Sequence, residues 1–419
     1  MKRRAPTLVV VGLILTLVAG CGRPTPVATP ADSATQAAMV QPTALPTITS
    51  IPSPTAAPTA TLTRAPTATA TRTPTPGPTK TPAPRRLFTD KIPAPSLAGN
   101  LLGDATERLV TVYLPPSYYA SEERFPAVYY LPGFGDTSMI GFDLPRDADE
   151  LIAKGSMKEM ILVIASGGNV LGGSFYVNSP VTGNWDDFIV QDVVGYVDTH
   201  YRTVASADAR GIAGHSMGGF GALNIAMRHP ETFSTVFAMS PGLFDENGLA
   251  ESQMFATQPA INSYLAKEQA VAGLPAAQAV QEMRRGGSDL VFTLAYGAAF
   301  SPDPGGTPPF IRYPYRLVDG KLVRDDEAWQ AWESGFGGIA EEVRQYRANL
   351  LQLKGLVVDY GKQDAYRWIP KGCEYYAAQL TAQGIPHQLI ANDGSHQSYV
   401  GKHIREVMLP FFSKTLGFP

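Results

Sequence analysis

Ser216 stands in the run Gly214-His215-Ser216-Met217-Gly218-Gly219, between a short apolar segment and a helical pattern. A serine hydroxyl becomes a nucleophile when a base takes its proton and a carboxylate holds that base in the right tautomer. A sharp strand-to-helix turn strains the backbone at its central residue and lifts that side chain clear of the sheet, and it tolerates no bulk two residues to either side. Glycine fills both places, as Gly214 and Gly218. Upstream, Ala209 to Ala213 reads as a buried strand. Downstream, Phe220, Leu223 and Met227 share one helix face until His229-Pro230 ends the run.

The remaining groups for such chemistry follow in the order carboxylate, then imidazole. Gly361-Lys362-Gln363-Asp364 is a turn after an apolar strand, which makes Asp364 the expected acid; Asp359, inside that strand, is its rival. Asn392-Asp393-Gly394-Ser395-His396 is a loop ahead of a final helix and supplies His396 as the expected base, with Asp393 read as a turn-former beside Gly394. The other histidines have simpler readings. His215 belongs to the serine turn, His229 ends a helix where its charge complements the dipole, and His200, His387 and His403 fall at a helix end, in a turn and on a helix surface. A carbonyl oxygen gaining charge needs donors aimed at it beforehand. The backbone amides of Met217, directly after the serine, and Phe134, in the turn Leu131-Pro132-Gly133-Phe134-Gly135, are the expected oxyanion hole.

Positioning these groups requires a sheet. Apolar segments at 109–114, 127–131, 160–165, 211–213, 235–239, 356–360 and 388–391 alternate with helical patterns. Among the latter are Ile189, Val193 and Val197 at four-residue spacing, 372–383 and 400–416. This order predicts an α/β fold with a mostly parallel central sheet covered by helices. The rhythm breaks at 244–354, which holds a helical stretch at 252–285, a Pro/Gly-rich run at 301–314 and an aromatic group, Trp329, Trp332 and Phe336. That segment reads as a cap-like insertion over the site, or as decoration away from it. The Gly-rich run 166–173 lacks the Lys-Ser/Thr ending of a phosphate-binding loop and reads as a rim loop. No His/Cys/Asp cluster has metal-ligand spacing, so neither metal nor cofactor is expected.

With these residues placed, the chain resembles the putative-esterase (esterase D-like) family of the α/β-hydrolase superfamily. The resemblance is carried by Val112-Tyr113-Leu114-Pro115-Pro116-Ser117-Tyr118, by Phe125 through Gly133, by Arg210 through Leu223 and by Ser240-Pro241-Gly242, and it resumes from Leu356. It implies an α/β-hydrolase fold, a Ser216–His396–Asp364 triad, an oxyanion hole at Phe134 and Met217, and hydrolysis of carboxylic esters through an acyl-enzyme. Acyl transfer of the mycolyltransferase type is the alternative, and a non-catalytic glycan-binding surface protein is the contrasting class. Pro132 departs from the family, where many relatives carry histidine or aspartate before the glycine. Ser174 to Trp185 resembles a stretch that forms the pocket wall in relatives, which makes Trp185 either a substrate contact or the packing of a helix start.

The N-terminal part has a different composition. Met1-Lys2-Arg3-Arg4 and the apolar run 8–18 make an export signal, and Val18-Ala19-Gly20-Cys21 resembles a lipobox. Residues 1–21 therefore read as a lipoprotein signal ending at Cys21, the expected lipidation site, with the protein held by a lipid anchor at the outer face of a bacterial membrane. Residues 22–85, rich in Pro, Thr and Ala, read as a disordered linker, and 86–419 as the catalytic domain. With two cysteines in the chain and Cys21 assigned to the anchor, Cys373 is left as a small buried residue. A net charge of −3 with interspersed signs provides no basic patch for nucleic acid.

Overall fold

The computed structural model describes residues 84–419. Cys21, the export signal and nearly all of the linker lie outside them. Ten strands are used below: β1 (Leu87–Pro93), β2 (Glu107–Tyr113), β3 (Ala127–Leu131), β4 (Ile161–Ala165), β5 (Arg210–His215), β6 (Thr235–Met239), β7 (Tyr315–Val318), β8 (Lys321–Arg324), β9 (Gly355–Gly361) and β10 (Gln388–Asn392). The helices used are α1 (Arg146–Ala153), α2 (Val194–His200), α3 (Met217–Arg228), α4 (Gln258–Val271), α5 (Ala276–Arg284), α6 (Ser288–Phe300), α7 (Asp326–Phe336), α8 (Trp368–Ala382) and α9 (Leu409–Thr415).

Eight strands form one sheet in the order β1-β2-β4-β3-β5-β6-β9-β10. The pairs β1–β2 and β2–β4 are antiparallel, and every pair from β4 across to β10 is parallel. The central strands β3, β4, β5 and β6 are buried at every residue, which explains their near-continuous apolar runs: parallel strands covered on both faces have no solvent side to alternate toward. One face packs on α2, α3 and α8 through Val197, Phe220, Ile225 and Tyr376, and the other on α1 and α9 through Ala148, Leu409 and Phe412. Each fully buried Val, Leu or Phe contributes about 1.5–3 kcal/mol to holding these layers together. The short apolar segments all became strands at the expected places.

β1 was missed, because Leu87-Phe88-Thr89-Asp90-Lys91-Ile92-Pro93 mixes charge and proline into an edge strand with one neighbour. Its start is fixed from the side by Arg86, whose guanidinium binds Asp149 of α1 at 2.5 Å and 2.8 Å. That contact holds the Asp149 carboxyl below the usual carboxylate range. The segment between β6 and β9 holds more structure than expected. The helical stretch at 252–285 divides into α4 and α5 at Gly273, whose φ of +80° ends the first helix. α6 is buried at eight positions, Leu290, Thr293, Leu294, Ala295, Tyr296, Gly297, Ala298 and Ala299, so it carries little of the one-sided pattern that marks a surface helix. β7 and β8 form a hairpin around Asp319-Gly320, both at positive φ, the turn chemistry that two-residue hairpins favour.

Candidate active site

β5 ends at His215, and the next residue, Ser216, has φ 56° and ψ −117°, a conformation that non-glycine residues rarely hold. The corner is over-determined. The Ser216 amide donates to Met239 O at 2.9 Å, and its carbonyl accepts from Phe220 N at 3.0 Å as α3 begins. A Cβ at Gly214 would lie 2.2 Å from Gly218 O, and one at Gly218 would lie 1.8 Å from Leu131 O, so the absence of side chains lets three backbone segments meet. Ser216 itself is partly exposed, facing a cavity.

Two loops bring the other groups to it. After β9, the chain turns through Asp364 N to Gly361 O at 3.1 Å, which buries the Asp364 carboxylate completely. Its Oδ1 accepts from Tyr366 N at 2.8 Å, and its Oδ2 accepts from His396 Nδ1 at 2.6 Å. The Ser216 hydroxyl lies 3.0 Å from His396 Nε2. With Nδ1–H committed to the carboxylate, Nε2 has its lone pair toward the hydroxyl, the tautomer that accepts its proton. The rival carboxylate takes no part in this line. Asp359 accepts from Asn392 Nδ2 at 2.8 Å and pairs with His403 Nδ1. His403 is thus a mostly buried partner of Asp359, correcting its reading as a surface residue: the helix after His396 turns that face onto the end of β9. Asp393 is exposed and pairs with Lys362 at 2.7 Å. His229 bridges Asp186 at 2.8 Å and Glu231 at 3.1 Å, and the Asp186 contact chiefly raises its pKa.

Above Ser216, the amides of Met217 and Phe134 have no hydrogen-bond partner among the described residues. Their positions are set by the Gly-rich run. Gly135 N donates to Gly172 O at 3.0 Å, and a Cβ on Gly173 would come within 2.4 Å of Met217 Sδ and 2.6 Å of the Phe134 ring. This run is the inner wall of the turn that carries Phe134.

The cavity next to Ser216 has a volume of about 140 Å³. Phe134, Met217, Phe292, Phe336 and Trp368 form its apolar wall, and Asp136, Gln253, Asp289 and Gln397 its polar part. Burial raises the Asp136 carboxyl above its ordinary value, partly offset by the facing His396. Gln253, Asp289, Phe292 and Phe336 all come from the segment between β6 and β9, and only Phe336 belonged to a group the sequence singled out. Their missing signal is spatial, since residues from three separate stretches converge only after folding. Trp185 is a correction. It is 0% exposed, its indole N–H donates to Thr182 O at 2.8 Å, its ring packs on Phe188, and it lies outside the cavity wall. It is the packing of a helix start, with Arg108 over its face. Cys373 is buried in α8, and burial pushes its thiol well above the ordinary value, which leaves it unreactive. No group of His, Cys, Asp and Glu among the described residues could hold a metal ion.

A mostly parallel sheet with an antiparallel beginning, helices on both faces and a strained serine corner at the end of a central strand define an α/β-hydrolase fold. A solved ferulic acid esterase shares it, with a TM-score of 0.51 at 20% identity over 79% of this chain and 98% of that one. Residues 105–289 match the profile of the family described as putative esterase. Two curated relatives are Esterase MT1326 of Mycobacterium tuberculosis strain CDC 1551 / Oshkosh and Esterase Rv1288 of strain ATCC 25618 / H37Rv. Each is 34% identical over 137 residues, which is 31% of this chain and 28% of the relative's length.

Proposed function

We propose that this chain is a serine esterase that hydrolyses carboxylic esters through an acyl-enzyme, with Ser216 as nucleophile, His396 as general base and acid, and Asp364 as the carboxylate that orients it. The observation that carries this reading is the continuous line from the Ser216 hydroxyl through His396 at 3.0 Å to Asp364 at 2.6 Å. In the first step His396 Nε2 takes the hydroxyl proton as Oγ bonds to the ester carbonyl carbon. Charge then moves to the carbonyl oxygen, where the Met217 and Phe134 amides are free to donate. The tetrahedral centre collapses, His396 returns the proton to the departing alcohol, and the acyl group stays on Ser216. Water, deprotonated by the same imidazole, repeats the sequence and releases the acid. Asp364 keeps its charge throughout and stabilises the imidazolium.

The size of the cavity bears on the acyl group. A cavity of about 150 Å³ holds one benzene ring, so the roughly 140 Å³ beside Ser216 fits a short acyl chain or a single ring. That favours hydrolysis of compact esters over the long-chain acyl transfer that the mycolyltransferase alternative requires. We further propose that the enzyme works outside the cell, tethered through a lipid on Cys21 and the Pro/Thr-rich segment; this part rests on the sequence of residues 1–85. Ser216→Ala should lower kcat on p-nitrophenyl acetate by up to about 10⁶-fold, the scale of losing a triad member. A fluorophosphonate should label wild-type Ser216 stoichiometrically. Folded wild-type protein that neither turns over short esters nor takes the label would leave the non-catalytic class in its place.

A further inference from the structure

His396 has a weak mounting for a residue that must hold two hydrogen bonds at once. It sits on a loop that leaves β10, the edge strand of the sheet, which has β9 on one side and no strand on the other. β10 has no fully buried residue, so its side chains add little packing to hold the loop. The end of that loop is fixed instead from the centre of the sheet. His215, the last residue of β5, is 1% exposed, and its Nε2 lies 2.8 Å from the carbonyl oxygen of His396. This is the one hydrogen bond to the main chain of residue 396 among the described residues.

The chemistry of this contact is forced. A carbonyl oxygen only accepts, so His215 Nε2 must carry the proton and donate. Nδ1 of the same ring is buried without a partner, near Gly133 and Asp136, so it holds a bare lone pair. The ring is therefore neutral. Burial first, and then the facing imidazole of His396, push its pKa down to about 3. Neutrality matters because the two ring centres are 4.8 Å apart, and a second positive charge there would oppose the imidazolium that forms on His396 during the reaction. Phenylalanine or leucine would fill the space but supply no donor. Lysine or arginine would supply donors with a charge.

We infer that His215 is a positioning residue for the reaction: its Nε2–H ties the base-bearing loop to the strand that carries the nucleophile, and so sets the reach from His396 to Ser216. The inference rests on the triad reading above. His215 is joined directly to Ser216 in the chain, so one short path runs from the nucleophile's backbone through an imidazole to the base's backbone. Misplacing a reacting group by about 1 Å can cost on the order of 10²-fold in rate.

The test is a series at this one position in the full chain, with p-nitrophenyl acetate turnover and fluorophosphonate labelling of Ser216 as readouts. His215→Phe keeps the volume and loses the donor. His215→Gln places an amide N–H near the position of Nε2. In the Phe variant, kcat and the labelling rate should fall at least about tenfold with KM nearly unchanged, and the Gln variant should recover most of that loss. Equal rates in wild type and the Phe variant would overturn the inference, as would Gln and Phe variants that are equally impaired while melting like wild type. If His215→Phe does not fold, the Gln variant decides alone: a loss of more than about tenfold in the labelling rate, in protein melting like wild type, removes the proposal. Wild-type protein that resists labelling would instead remove the triad reading on which it stands.

Discussion

One carboxylate illustrates how narrow the tolerances are at the residue scale. Asp364 is wholly buried and accepts from both Tyr366 N and His396 Nδ1, so its amide analogue would fit the same space while presenting an N–H where an acceptor is needed. Asp364→Asn should therefore leave the fold intact and lower kcat on the order of 10⁴-fold, by favouring the wrong imidazole tautomer. Comparing p-nitrophenyl acetate turnover and thermal melts of the two proteins checks this, and a loss of activity that merely tracks a loss of stability would count against the assigned role. Much of this was legible in the chain. Gly214, Ser216 and Gly218 advertise a corner because only glycine permits backbone contact there, and Asp364 and His396 each follow a recognisable strand. His215 was not legible as a tether, because its partner is a main-chain carbonyl 181 residues away that has no sequence signature.

At the scale of elements, Ser216, Asp364 and His396 each follow the end of a sheet strand, and much of the cavity wall comes from the insertion between β6 and β9. α6 brings Phe292 against Phe134 at 5.2 Å and against Phe175 at 5.5 Å between ring centres, so one helix supplies part of the apolar cavity wall. Phe292→Ala should open that wall. Each extra methylene accommodated is worth about 1–3 kcal/mol of discrimination. The ratio of kcat/KM for p-nitrophenyl octanoate over acetate is accordingly expected to rise about tenfold or more, measured on the purified variant. An unchanged ratio would mean that the acyl group lies elsewhere. α7 supports the same wall from behind: Trp332 donates its indole N–H to Arg312 O at 2.9 Å, and Phe336 packs 4.8 Å from Phe220 of α3. These aromatics stood out in the sequence as a group. Their neighbours in α6 did not, because a helix buried nearly all round loses the polar stripe that makes helices easy to read.

For the whole molecule, a neutral histidine in the core links stability to pH. The folded-state pKa of His215 is pushed from 6.5 down to about 3, so as pH falls below about 6.5 the unfolded chain takes up a proton that the folded chain refuses. Stability contributed by that site is complete above about pH 6.5 and is lost progressively down to about pH 3. His229 acts with the opposite sign. Its pKa is raised, chiefly by Asp186, so its contribution is present below its ordinary value and is lost as pH rises through the folded one. Glu342, raised by burial against the pull of Arg228, adds its own slope at acid pH. Melting temperatures of wild type and His215→Gln between pH 8 and pH 4 isolate the first term, since the others are common to both. Wild type should lose stability more steeply on acidification, and parallel curves would show that His215 titrates in the folded protein.

The chain by itself determined the order of elements, the corner at Ser216 and the loops that carry Asp364 and His396, because turns, glycine contacts and buried parallel strands are local and leave local marks. Tertiary structure alone revealed which histidine each of Asp364 and Asp359, five residues apart, is paired with. It also decided the fate of Trp185, whose type fits a pocket wall and a buried helix start equally well: the ring is fully buried and lies outside the cavity wall. The cavity was hidden for the same reason. Its wall is assembled from side chains distant in sequence, and their meeting is a property of packed layers that no single segment contains.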